Sequence, residues 1–132
     1  MIEVAAAIIR NAEGGLLIAR RREGKTQAGY WEFPGGKIEP GESVPDCLRR
    51  ELLEEMAIEI EPLSLFGASE HRYGDRDIRL TAWRAAYRGG EIALTDHDAY
   101  AWVHPARLAE YRLAPADIPF ADRLRVEAEN GT

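Results

Sequence analysis

A single cysteine, Cys47, stands in this chain of 132 residues, which excludes a disulfide framework and any zinc site built on paired cysteines. Long apolar runs are missing too. The apolar stretch at residues 4–9 falls far short of the ~20 residues a membrane-spanning helix needs. It has neither the basic leader nor the cleavage site of a secretory signal, so the cytoplasm is the expected compartment and no membrane partner is expected. Positive charge is scarce: 17 Lys and Arg face 23 Asp and Glu, a net charge of −6. Binding to nucleic-acid polymers depends on Lys and Arg neutralising phosphates, so that class is set aside. A small polyanion escorted by metal ions is different, because the ion supplies the charge the chain lacks.

What is present describes an ordinary globular protein, with 45% hydrophobic and 30% charged residues and a length suited to one domain over residues 1–132. Residues 2–10 read as a buried strand, 11–15 as a turn, and 16–20 as the returning arm of a hairpin. A polar, basic loop at 21–29 leads to a short aromatic strand at 30–33, which Pro34-Gly35-Gly36 breaks. Ser43 and Asp46 suit the start of a helix over 44–56, with Pro45 tolerated in its first turn. Residues 58–72 and 76–87 read as strands around a Tyr73-Gly74-Asp75 turn, Gly89-Gly90 turns the chain again, 101–103 is a short strand and 117–128 a closing helix. The order predicts an α+β fold with a mixed sheet between helices. A monomer is expected, since no segment advertises a hydrophobic interface.

The chemistry concentrates on the first helix. Glu51, Glu54 and Glu55 stand at positions i, i+3 and i+4, which share a helix face. Carboxylates so close repel one another unless a cation lies between them, and hard cations such as Mg²⁺ seek this oxygen set. The residue types therefore point to a divalent metal and a metal-assisted attack on something anionic.

Gly36, five residues, Glu42, seven residues, then Arg50-Glu51-Leu52-x-Glu54-Glu55-x-x-Ile58 resembles the Nudix box of the Nudix hydrolases. Ala57 departs from it, standing where the box has glycine. A residue with a Cβ in the left-handed conformation is strained by about 1 kcal/mol, so either the helix runs on or Ala57 is strained. Trp31-Glu32-Phe33-Pro34-Gly35-Gly36-Lys37 looks like the MutT branch, and Leu113 through Pro119 is similar to the bacterial CTP pyrophosphohydrolase group within it. The resemblance implies a Nudix fold and a Mg²⁺-dependent enzyme, with Mn²⁺ as a substitute. Its reaction would split a nucleoside triphosphate into monophosphate and pyrophosphate.

Carried over, the family pattern makes Glu51, Glu54, Glu55 and the Gly35 carbonyl metal ligands, with Asp96 as a further acid from a loop. Glu51 and Glu54 are both candidates for the base that takes a proton from water. Arg50 would orient a carboxylate, and Lys37 would contact a phosphate. His97 is expected to be a surface or packing histidine. Arg21 and Arg76 correspond to arginines near the nucleotide, and Phe33 and Tyr73 to positions that line a base pocket. Asp117 stands where a base would be read. An ionised carboxylate only accepts hydrogen bonds, so it would favour cytosine, guanine or adenine over uracil and thymine.

The resemblance therefore implies action on CTP-like nucleotides, on oxidised dNTPs such as 8-oxo-dGTP, or on both. Two alternatives stand beside it: another Nudix specificity such as ADP-ribose, and a non-catalytic module that senses a nucleotide. The former is disfavoured because Arg72-Tyr73-Gly74 lacks the proline that some ADP-ribose members carry there. The latter is disfavoured because the box glutamates are intact.

Overall fold

The computed structural model describes residues 1–131. Seven strands make one mixed sheet: β1 (Ile2–Arg10), β2 (Leu16–Arg21), β3 (Trp31–Glu32), β4 (Gly35–Lys37), β5 (Glu59–Tyr73), β6 (Arg76–Gly89) and β7 (His97–Val103). Two helices, α1 (Val44–Met56) and α2 (Ile118–Gly131), flank it. The apolar residues fall into two clusters, one containing Cys47, Leu48, Leu52 and Met56 of α1, the other Phe120, Ala121 and Leu124 of α2. Alternate residues of β1 feed them: Ala5, Ala7 and Ile9 belong to the first, Ala6 and Ile8 to the second. This is the period-2 geometry of a strand buried on both faces, and it produces the sheet between helices that the sequence predicts. Among the described residues, no helix is long and apolar enough to cross a membrane.

Several expectations need correction. Strands β1 and β2 do not form an extended hairpin, since only Arg10 and Leu16 pair. Instead β1 pairs parallel with β6 from Ile2↔Ile78 to Arg10↔Ala86, and antiparallel with β4 on its other edge. Such long-range pairing leaves no local trace in the sequence. Gly35-Gly36 does not break the chain but forms β4, and the reason is close approach. A Cβ on Gly35 would lie 1.9 Å from the Ala5 carbonyl oxygen, so only glycine lets the two backbones meet. Strand β7 begins at His97, four residues earlier than expected, because β2 pairs with it from Leu16↔Val103 to Arg21↔His97. Short 3₁₀ turns at Pro105–Glu110 and Pro115–Asp117 were not anticipated.

Helix α1 starts as expected: the Ser43 side chain accepts the Asp46 N–H at 3.2 Å. It stops at Ala57, which adopts the left-handed conformation, φ 58° and ψ 29°. Of the two readings of Ala57, the strained one holds.

Candidate active site

One cavity of about 690 Å³ receives residues from nearly every element that the sequence singles out, a size suited to a small-molecule ligand. Gly35, Gly36, Lys37, Glu51, Glu55 and Asp96 line one part of it. Arg21, Glu32, Tyr73, Arg76, His97 and Asp117 line the rest. Three residues stand apart: Phe33, Glu54 and Arg50, which acts from behind the wall. Phe33 is 2% exposed and its ring belongs to the core, so only its backbone serves the site. Glu54 is exposed and does not line the cavity.

Arg50 organises the acidic part. Its Nε and Nη2 grip Glu42 at 2.7 and 2.9 Å, its Nη1 reaches Glu51 at 2.8 Å and Glu54 at 3.4 Å, and Nη2 also donates to the Lys37 carbonyl at 3.2 Å. The two-pronged grip on Glu42 uses the fixed fork of a guanidinium, and together with the Glu39 N–H it holds that carboxyl down at about 2. This gives Glu42 a physical reason for its place ahead of the helix: it anchors the arginine that aims Glu51. Gly36 has an equally direct reason, because a Cβ there would lie 2.4 Å from the Glu51 carboxylate.

Glu51 is only 9% exposed. Glu55, one turn further on, is held well above the usual carboxylate range by burial, by a hydrogen bond to Asp96 and by the charge of Glu51. Asp96 moves the opposite way, lowered first by that same hydrogen bond. Lys25 pairs with Asp96 at 3.3 Å. Among the described residues no ready-made cage of three or more acids, cysteines or histidines forms; the acids are drawn toward Arg50 and Lys25 instead. The donors are nevertheless of the right kind. Side-chain and carbonyl oxygens around a glycine cradle, burdened with more negative charge than they tolerate, suit Mg²⁺ or Mn²⁺ and not a thiophilic metal.

The other part of the cavity is assembled from distant segments. Trp31 and Ala114 exchange backbone hydrogen bonds with their neighbours (Trp31 N–H to Arg112, Ala114 N–H to Trp31, both 2.8 Å), which clasps residues 112–117 to β3. The Ala116 N–H donates to the Tyr73 hydroxyl at 2.9 Å. Asp117 is thereby carried inward to 4% exposure, where its Oδ1 accepts the Phe33 N–H at 3.1 Å. Burial, and then the charge of Glu32, push its carboxyl well above the aspartate range. Asp117 is thus biased toward its neutral form, in which it can donate as well as accept, and away from the ionised acceptor of the sequence reading.

Glu32 was not among the sequence candidates. Its carboxylate is held by Arg21 at 3.2 Å and by His97 Nε2 at 2.9 Å. His97 is a packing histidine, 4% exposed, with Nδ1 unpartnered. Arg21 is therefore committed to Glu32 and, through Nη2, to the Thr26 hydroxyl at 3.3 Å. Arg76 is exposed at the tip of the β5–β6 hairpin. The alternation in Trp31-Glu32-Phe33 was the one available signal for Glu32, since it turns Glu32 away from the faces its aromatic neighbours occupy.

A mixed sheet between two helices sets a glycine cradle against a glutamate-rich helix, an oxygen-rich wall of the kind that suits a hard divalent cation. Comparison with known proteins gives the class: the NUDIX domain profile matches residues 2–124, and the chain belongs to the Nudix family. It is 42% identical over 122 residues to the CTP pyrophosphohydrolase of Escherichia coli K12, covering 92% of this chain and 90% of that one. It is 34% identical over 124 residues to the 8-oxo-dGTP diphosphatase of the same organism, covering 94% and 96%. The crystal structure of the MutT protein from Methanosarcina mazei Go1 superposes with a TM-score of 0.87 at 29% identity, covering 99% and 96%. The chain is a MutT-like Nudix hydrolase, homologous to nucleotide pyrophosphohydrolases.

Proposed function

We propose that the enzyme hydrolyses nucleoside triphosphates between the α and β phosphorus atoms, releasing monophosphate and pyrophosphate, and that CTP-like nucleotides and oxidised dNTPs such as 8-oxo-dGTP are its substrates. The observation that carries the reading is the division of one cavity into an acidic, glycine-cradled end and a buried end that offers directional hydrogen bonds.

At the acidic end Glu51, Glu55, Asp96 and the Gly35 carbonyl would hold Mg²⁺, with Glu54 at the rim. Bound there, the metal would neutralise phosphate oxygens and acidify a water. The chain's own part is to hold and orient. Arg50 fixes Glu51 and steadies Glu54, the two candidates for the proton acceptor. Lys37 and Arg76, exposed at the cavity wall, supply charge to the phosphates. Tyr73 and the Phe33 backbone border the base.

At the other end, Glu32 would accept, and Asp117, biased toward its neutral form, would donate. Cytosine presents an amino donor beside a ring-nitrogen acceptor, and guanine bases present N–H donors beside O6. Uracil reverses that order, placing an oxygen where Glu32 needs a hydrogen. The preference for amino bases therefore survives, with Glu32 as its source in place of Asp117. The test is Mg²⁺-dependent kcat/KM on CTP, dCTP, 8-oxo-dGTP, dGTP, UTP and ADP-ribose, with products identified. Triphosphates with amino bases should yield monophosphate and pyrophosphate. A clear lead for ADP-ribose, or release of single phosphates, would overturn the assignment.

A further inference from the structure

Lys25 belongs to none of the motifs above, yet it reaches the acidic end of the cavity. It lies in the loop between β2 and β3, where its Nζ sits 3.3 Å from Asp96 Oδ1, with both side chains 37% exposed. The loop is not free to swing. The Arg21 guanidinium holds the Thr26 carbonyl and hydroxyl, the Lys25 N–H donates to the Arg22 carbonyl at 3.3 Å, and the Arg22 N–H reaches the Asp96 carbonyl at 3.5 Å. Backbone and side chain thus deliver one ammonium to one carboxylate. That carboxylate is the partner of Glu55, and no other cation stands within ion-pair distance of it among the described residues.

We propose that Lys25 is a tethered counter-ion that competes with the divalent metal for Asp96. A divalent metal and an ammonium drawn to one carboxylate repel each other, so entry of the metal works against the Lys25–Asp96 pair. The strength of the Lys25–Asp96 pair then sets how much free Mg²⁺ the enzyme needs. Lysine suits this use better than arginine suits it at Glu42: a compact point charge on a flexible stem lets go, whereas a two-pronged guanidinium holds. The inference rests on reading Glu51, Glu55 and Asp96 as the metal-binding wall.

The test is binding of Mn²⁺ alone, followed by electron paramagnetic resonance at low ionic strength, without nucleotide. Lys25→Gln should bind Mn²⁺ about two- to fivefold more tightly, the range expected of a partly exposed pair. Lys25→Arg should bind no more tightly than wild type, and 0.5 M KCl should shrink the gap. In an Asp96→Asn background the Lys25→Gln gain should vanish. Equal or weaker binding by Lys25→Gln overturns the inference, and so does a gain of the same size in the Asp96→Asn background, which would be general electrostatics. If wild type itself fails to bind Mn²⁺, the metal wall falls and the inference with it. That outcome is distinct from one in which wild type binds and Lys25→Gln matches it.

Discussion

The two ends of the cavity are built by opposite means. The acidic end comes mostly from one stretch of chain, Gly35 to Glu55, where a cradle, an anchor and a helix succeed one another within little more than twenty residues, with Lys25 and Asp96 added from two other segments. Three of its acids, Glu42, Glu51 and Glu54, are matched to one cation, Arg50, while Glu55 faces Asp96 and Glu51. The base end gathers Glu32, Tyr73, His97 and Asp117 from four separated segments. There His97 and Asp117 are buried, one histidine nitrogen lacks a partner and one carboxyl is forced toward its neutral form. Local sequence can encode charge matching along a helix, but only the tertiary fold can impose desolvation. On the proposed function, the acidic end carries the hydrolysis and the base end sets the choice of nucleotide.

The largest expected effect breaks the acidic end. Glu51→Gln should lower kcat by about 10²- to 10⁴-fold while circular dichroism and nucleotide binding stay near wild type. Arg50→Ala should cost about 10- to 100-fold in metal affinity or activity. Lysine should not rescue it, because one ammonium cannot serve Glu42 and Glu51 together. Steady-state kinetics across a Mg²⁺ titration will separate the two.

The base end should respond to pH instead. Asp117 keeps its proton in the folded state above the pH at which the unfolded chain releases it, near 3.8. Its contribution is therefore fully present below that value and is lost as pH rises, by at most about 1.4 kcal/mol per unit for one proton. Asp117→Asn, which keeps both the acceptor for Phe33 and a donor, should flatten that slope. Denaturant midpoints between pH 5 and 8 should show the variant gaining on wild type as pH rises. Because it mimics a neutral acid, it should also keep the base preference within a few-fold. Collapse of that preference would restore the ionised reading.

The smallest effect concerns the scaffold. Ala57→Gly should stabilise the protein by about 1 kcal/mol by relieving the left-handed alanine, with kcat unchanged. Gly90, packed so that a Cβ would meet the Ala57 carbonyl oxygen at 2.4 Å, should tolerate no such exchange in reverse.

The same contrast explains how far the sequence could be read. Helix α1, its Ser43 cap and its glutamates were legible because period and spacing are local properties. The role of Glu42 became physical only when its grip on Arg50 was visible. Strand β4 was hidden because its glycines look like a break until β1 is seen against them. The place of Glu32 and the raised pKa of Asp117 were hidden for the same reason, since burial is decided by segments far away in the chain. Phe33 was placed beside the base by its motif, yet its ring is core and only its N–H takes part.

The most direct test of this division of labour is to measure kcat and KM for CTP and UTP with Glu51→Gln and Glu32→Gln side by side. Glu51→Gln should lose turnover on both nucleotides and still bind CTP near wild-type strength. Glu32→Gln should keep kcat on CTP within about tenfold and lose the preference for CTP over UTP. If both variants fail in the same way, or Glu51→Gln turns over at the wild-type rate, the separation of chemistry from base choice is wrong.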